Sequence, residues 1–325
     1  MKILITGGAG FIGSHLVEQL LKKKHHISVI DNLSTGRIQN IEQFKNKINF
    51  YRYDLSKKGK WQNILKKIDV VFHLAALADI VPSIQNPDKY FQSNVVATKN
   101  LVETCIKYKV RKIIYSASSS CYGIPKKYPT SENEKIDPQY PYALTKRLGE
   151  EILLHYGKIY KIKVVSLRLF NVYGTKSRTS GTYGAMFGVF LKQKLSNSPL
   201  TVVGSGNQSR DFTYVTDVVS AFIKCLKYYG KNEIFNIGTG KPISINKIVK
   251  ILNCKKINIP KRPGEPFITH ANPKLAIKEL GWKYKIGIKD GINLVLKDIN
   301  YWRNAPLWSP TKIKLATADW FKYLK

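Results

Sequence analysis

The chain has 325 residues, 43% of them apolar, with 54 Lys and Arg against 21 Asp and Glu and a formal net charge of +33. That length suffices for a large core and two lobes. No apolar run approaches the ~18 residues of a membrane span, and the N-terminus lacks a signal-peptide layout. Four scattered cysteines, Cys105, Cys121, Cys225 and Cys254, form no CxxC pair. They disfavour disulfide or metal use and predict a cytoplasmic setting. Only nine of the 54 basic residues are Arg, and the longest basic run is Lys22-Lys23-Lys24. The excess of Lys is expected to coat solvated faces rather than to mark nucleic-acid binding, though a positive field would speed capture of anionic ligands.

Lys2–Thr6 is a short apolar run that leads into Gly7-Gly8-Ala9-Gly10-Phe11-Ile12-Gly13. A helical pattern follows from Ser14 to Lys24, and a second apolar run, Ile27–Asp31, ends in Asp31-Asn32. Strand, glycine turn, helix, strand and acid together are the context a dinucleotide-binding fingerprint requires. The glycines allow a tight turn and close approach to a pyrophosphate, and the helix N-terminus offers it free N–H groups. Asp31 can accept from an adenosine ribose and would repel a 2′-phosphate, so NAD is expected rather than NADP.

Further strands are predicted at Ile48–Tyr53, Val70–Leu74, Lys112–Ser116 and Lys163–Arg168, with helices at about Asp88–Tyr108 and Tyr142–Tyr160. The alternation predicts an α/β fold, a doubly wound parallel sheet of Rossmann type over residues 1–174, rejoined by about 211–238. Ligands of such sheets sit beyond the carboxyl ends of the strands. Those ends are Gly7, Asp31, Asp54, Ala75, Ser118 and Asn171.

After Gly174 the pattern breaks. Thr175–Gly184 reads as a loop, followed by helices near Met186–Leu195, Ser244–Leu252 and Pro273–Leu280 and strands near Leu200–Val203 and Ile234–Ile237. Residues 175–325 are therefore expected to form a smaller mixed α/β substrate lobe. Trp302, Trp308, Trp320, Phe321 and Tyr323 give it an aromatic tail, expected to dock on the body or on a partner subunit.

Ser118, Tyr142 and Lys146 form the candidate catalytic set. Tyr142 and Lys146 lie four apart at the start of a predicted helix and share a face. A tyrosine titrates near ~10, and a nearby ammonium plus a positive nicotinamide ring would lower that value. Tyr142 could then take a proton from a substrate hydroxyl, with Ser118 hydrogen-bonded to the same oxygen. The spacing alone carries little, since Tyr53/Lys57, Tyr108/Lys112 and Tyr122/Lys126 share it. Only Tyr142 opens a helix behind a proline, downstream of the serine-rich strand end Ser116–Ser120.

The chain resembles the extended short-chain dehydrogenase/reductase family, and within it the nucleotide-sugar C4-epimerases. The resemblance runs through GGAGFIGSHLV at Gly7–Val17, DNLSTG at Asp31–Gly36, HLAAL at His73–Leu77, NVVATKNL at Asn94–Leu101 and SASSSCYG at Ser116–Gly123. It continues through PYALTK at Pro141–Lys146, LRLFNVYG at Leu167–Gly174, RDFTYVTDV at Arg210–Val218, FNIGTG at Phe235–Gly240 and RPGE at Arg262–Glu265.

It implies an NAD site made of Gly7, Gly10, Phe11, Ile12, Gly13, Asp31, Asn32, Ser34, Thr35, Gly36, Asp54, Leu55, Leu74, Ala75, Ala76 and Asn94 with Tyr142 and Lys146. It also implies a substrate site of Ser118, Asn171, Arg210, Arg262 and Thr269. Arg210 and Arg262 would clamp the diphosphate, a task suited to guanidinium forks.

The implied activity is NAD-dependent C4 epimerisation of a UDP-sugar through a transient 4-keto sugar, by a homodimer paired through the helices after Asp88 and Tyr142. The family's dehydratases place Thr-Asp-Glu at Ser118-Ser119-Ser120, and its decarboxylases usually carry Glu at Ser120. Neither acid is present here. Dehydratase, decarboxylase or 4-reductase chemistry is the alternative, and a non-enzymatic NAD-binding regulator a further one. The wording Tyr115–Gly123 is closest to epimerases of N-acetylhexosamines, and a small residue at Thr269 is expected to leave room for an acetamido group.

Overall fold

Strand β1, Lys2–Thr6, is buried from its second residue onward, as expected of an apolar run inside a parallel sheet covered on both faces. The computed structural model describes residues 1–177, 186–231 and 233–324. Beside β1 lie β2 (His26–Ile30), β3 (Ile48–Tyr51), β4 (Val70–His73), β5 (Lys112–Ser118) and β6 (Lys163–Leu169). With β11 (Ile234–Ile237) they make one seven-stranded parallel sheet in the order β11-β6-β5-β4-β1-β2-β3. The six strands expected in the first half all form. β5 runs two residues further than expected, which places Ser118 at its last position.

The chain leaves β1 toward β2 and β3, then returns to the other side of β1 as β4. A crevice opens at such a reversal, outside the strand ends. Helix α1 (Phe11–Lys22) crosses from β1 to β2, and α2 (Ile80–Gln85), α3 (Pro87–Phe91) and α4 (Ala97–Lys107) cross from β4 to β5. A π-helical turn, Gln92–Val96, joins α3 to α4, so the expected helix over Asp88–Tyr108 is widened in its middle.

Helix α5 (Pro141–Tyr160) starts with proline in its first turn, where the missing N–H costs nothing, and ends at Lys161 in the left-handed conformation. It lies close on the sheet because Gly149 has no side chain: a Cβ there would stand 2.7 Å from the Tyr115 hydroxyl.

The later residues serve two cores. Helix α7 (Val215–Cys225), absent from the sequence-based expectation, packs Val218, Val219 and Phe222 with Leu16 of α1 and Ile3 and Ile5 of β1. A second core gathers α6 (Met186–Leu195), β8 (Leu200–Val203), α8 (Ile245–Leu252) and α10 (Ile288–Lys297) around Phe190, Val202, Ile248 and Trp302. Between these run the short strands β7 (Val172–Tyr173), β9 (Ser209–Arg210), β10 (Thr213–Tyr214), β12 (Ile243–Ser244) and β13 (Lys256–Ile259), and helix α9 (Lys274–Leu280). The expected loop Thr175–Gly184 lies mostly outside the described residues. Among the described residues no helix is long and apolar enough to cross a membrane, and no group of His, Cys, Asp or Glu is placed to hold a metal.

Candidate active site

A cleft of about 610 Å³ runs over the carboxyl ends of the strands, within the range of small-molecule sites. The glycine turn forms one end. Gly7 has φ +72, and a Cβ on it would sit 2.7 Å from the Ala75 nitrogen; one on Gly13 would sit 2.2 Å from the Gly7 carbonyl oxygen. Strand end, turn and helix thus meet backbone to backbone. Helix α1 begins at Phe11 with Gly10 as its cap and no side chain bonded there. Gly10, Phe11, Ile12 and Gly13 line the cleft at this uncapped helix end, the place a pyrophosphate needs.

Asp31, at the end of β2, is 7% exposed. Its carboxylate accepts from Ala9 N at 3.0 Å and Leu33 N at 2.8 Å, with lone pairs remaining for a ribose. Burial pushes its pKa up, opposed by those two N–H groups. Asn32, Ser34, Thr35 and Gly36 continue the wall, and Asp54 and Leu55 face them. Asp54 is braced by Ser56, whose N and Oγ donate to Oδ1 at 2.9 and 2.7 Å.

Leu74, Ala75 and Ala76 form the floor. They are held by a chain of bonds that sequence reasoning missed. Ala75 N donates to Thr6 Oγ1 at 3.2 Å, and Thr6 Oγ1 meets His73 Nδ1 at 2.7 Å. His73 Nε2 meets Thr98 Oγ1 at 2.9 Å, and Thr98 donates to the Asn94 carbonyl at 2.7 Å. The Thr98 proton is spent on that carbonyl, so His73 carries its proton on Nε2 and accepts at Nδ1. Burial, with the Lys146 charge adding to it, pushes His73 down to about 3 and keeps it neutral.

Ser118 ends β5 and Tyr142 stands in the first turn of α5, and both line the cleft. Ser118 Oγ donates to Ser120 Oγ at 2.9 Å. Burial raises the Tyr142 pKa to about 12, with the neighbouring Ser118 hydroxyl pulling the other way. Lys146 is itself pushed down to about 7 by burial, opposed by Glu150 one turn along. Its Nζ lies 4.2 Å from the centre of the Tyr115 ring. Beneath it Glu150 pairs with Arg168 at 2.9 Å and accepts from Ser166 at 2.6 Å, which fixes α5 on the sheet.

At the other end Asn171, Arg210, Arg262 and Glu265 line the cleft. Arg210 Nη2 donates to Glu265 Oε1 at 2.6 Å, and Arg262 Nη1 lies 3.9 Å from Glu265 Oε2. One carboxylate thus stands between two guanidinium groups. Glu265 lay inside the motif read for its arginine, with no role assigned to it.

Two of the expected site residues, Asn94 and Thr269, are not among those lining the cleft. Asn94, in the π-helical turn, spends its amide on both sides of the Leu77 peptide and on Thr145 Oγ1. Thr269 sits behind Asn171, donating to its Oδ1 at 2.7 Å and accepting from Asp211 N at 3.1 Å. The remaining residues of the expected set share the one cleft.

Residues 3–238 match the model of the NAD dependent epimerase/dehydratase family. The chain belongs to this family. Its cofactor is NAD, and the bare glycine turn, Asp31 and Asp54 fit that cofactor. Among its relatives in the family, a putative UDP-glucose 4-epimerase of Methanocaldococcus jannaschii is 38% identical over 310 residues, covering 93% of this chain and 98% of the relative. The UDP-glucuronic acid 4-epimerase of Bacillus cereus, solved with UDP-glucuronic acid and NAD, is 33% identical with a TM-score of 0.85, covering 93% of this chain and 99% of that one. The UDP-N-acetylglucosamine 4-epimerase of Methanobrevibacter ruminantium M1, solved with UDP-N-acetylmuramic acid, is 30% identical with the same TM-score of 0.85, covering 91% and 98%.

Proposed function

We propose that the protein epimerises a UDP-sugar at C4, interconverting UDP-N-acetylglucosamine and UDP-N-acetylgalactosamine. The observation that carries this reading is the single cleft in which the glycine turn, the Ser118–Tyr142 pair and the Arg210/Arg262 pair follow one another. NAD, when bound, supplies a hydride acceptor and, in its oxidised form, a positive charge that favours a phenolate. Ser118 holds the C4 oxygen, and Tyr142 removes and later returns its proton. Lys146 braces the helix face behind Tyr142. Arg210 and Arg262 grip the diphosphate, leaving the sugar free to present its other face.

Serines at 119 and 120 place no acid or base beside Ser118, which favours epimerisation over elimination or decarboxylation. The wording of Tyr115–Gly123 supports the N-acetylhexosamine. Thr269 lends no support, since it stands behind Asn171. A second reading, UDP-glucose and UDP-galactose, is favoured by the Methanocaldococcus relative. The free cysteines fit a reducing cytoplasm. Leu144, Ile159 and Tyr160, exposed on α5, fit pairing into a homodimer.

Proton NMR of the protein with each UDP-sugar in turn tests this. A new galacto-configured anomeric signal at unchanged mass is expected, faster with UDP-N-acetylglucosamine. A 4-keto, dehydrated or decarboxylated product overturns the reading.

A further inference from the structure

The aromatic tail reaches the cleft from the side opposite the glycine turn. Helices α11 (Pro310–Ala316) and α12 (Ala318–Tyr323) close the described chain, and Ser309 caps α11 through Lys312 N. Trp320 is 3% exposed and lines the cleft. Its Nε1 donates to the Pro263 carbonyl at 2.7 Å, and the Arg262 guanidinium carbon lies 5.4 Å from its ring centre. One indole thus grips two consecutive residues of the Arg262–Glu265 turn, one by its ring and one by its N–H.

The preceding residue ties the tail to the opposite wall: Asp319 Oδ2 accepts from Gln85 Nε2 of α2 at 3.0 Å. The Tyr140 ring, 6.3 Å from Trp320, stacks on Tyr142 at 6.4 Å. The tail therefore spans the cleft mouth from α2 to the anion-binding turn and passes beside the catalytic tyrosine.

We propose that Trp320 is a positioning residue for Arg262, and that residues 309–324 form a strap that presets the turn for a nucleoside diphosphate. The physical reason is preorganisation. A free arginine side chain loses rotamer freedom when it binds an anion. One already seated on an indole has lost it beforehand, which leaves more of the contact as affinity. Gly264 holds φ +68 in that turn, a conformation with no side chain of its own to fix it, so the brace on Arg262 and Pro263 comes from Trp320, outside the turn. The identity of the bound group as a UDP-sugar rests on the proposed function; the role of the strap is read from binding and does not need turnover.

The test is calorimetric titration of the full-length, NAD-loaded protein with UDP, for wild type, Trp320→Ala, Trp320→Phe, Arg262→Ala and the double variant Trp320→Ala/Arg262→Ala. Trp320→Ala is expected to weaken UDP about tenfold with NAD affinity unchanged. Trp320→Phe, which keeps a ring face and loses the N–H, should weaken it less. The double variant should bind no more weakly than Arg262→Ala.

A UDP affinity in Trp320→Ala within about twofold of wild type overturns the proposal. So does an additive loss in the double variant, because Trp320 would then act independently of Arg262. Should Trp320→Ala fail to fold, Trp320→Phe, compared alone and with Arg262→Ala, decides in the same way. A wild type that binds UDP but leaves UDP-sugars unchanged defeats the proposed function, while the strap still stands or falls by these titrations.

Discussion

Asn94 brackets the Leu77 peptide: its Oδ1 accepts from Leu77 N at 2.8 Å and its Nδ2 donates to Leu77 O at 3.0 Å. The loop from β4 to α2 thereby hangs from the π-helical turn. Asn94→Ala leaves a buried N–H and C=O without partners, which costs about 1–3 kcal/mol each. A lower melting temperature and weaker NAD binding are expected together, with an unchanged affinity for UDP. Differential scanning fluorimetry and the two titrations check this; an unchanged melting temperature would refute it.

Tyr142→Phe removes one oxygen from a buried site. Turnover should fall by a factor of about 100 to 10,000, while NAD and UDP affinities stay as in wild type. Steady-state kinetics beside calorimetry separates the two effects. An active variant would remove Tyr142 from the proton-transfer role.

Asp31→Ala takes away the charge that would oppose a 2′-phosphate. Preference for NAD over NADP should narrow by about tenfold or more, measured as the ratio of the two dissociation constants. The variant also strands the Ala9 and Leu33 N–H groups, so Asp31→Asn is the control that keeps an acceptor. Gly13→Ala has a harsher outcome: its methyl would stand 2.2 Å from the Gly7 carbonyl. NAD binding should be lost while the circular dichroism spectrum is kept.

The acid side of the stability profile should carry the mark of His73. Its pKa falls from 6.5 in the unfolded chain to about 3 in the folded one. The unfolded state therefore binds the extra proton first as pH drops, and stability is lost progressively from about pH 6.5 down toward about 3. His73→Gln removes that contribution. Its melting temperature should fall less steeply over this window than that of wild type, whatever its absolute value. Parallel slopes would count against a neutral, buried His73.

Most of the fold was legible because parallel strands buried on both faces are plain apolar runs, and β1 and β8 begin and end where their patterns do. Helix α7 was missed because its apolar residues follow directly on the motif around Arg210, with no cap to announce a start. The cleft was legible wherever a residue contributes by lacking a side chain or by ending a strand. It was least legible at Asn94 and Thr269, polar residues whose side chains bond to Leu77 and Thr145 and to Asn171 rather than lining the cleft. Only the π-helical turn and the backing of Asn171 decide which way they point, and neither has a signature in composition or spacing. Trp320 and Arg262 lie far apart in the chain, and the tail's aromatic content indicated docking without saying on what.

The bonds from Ala75 through Thr6, His73 and Thr98 to the Asn94 carbonyl all point one way, each hydroxyl accepting on one side and donating on the other. The line begins at a peptide N–H and ends on a peptide carbonyl, neither of which gives up or takes a proton, and burial keeps the His73 between them neutral. The line is a strut and not a wire. It fixes the cofactor-facing end of β4 in place without offering a route for protons, which leaves the proposed proton transfer to Ser118 and Tyr142 on the neighbouring strand and helix.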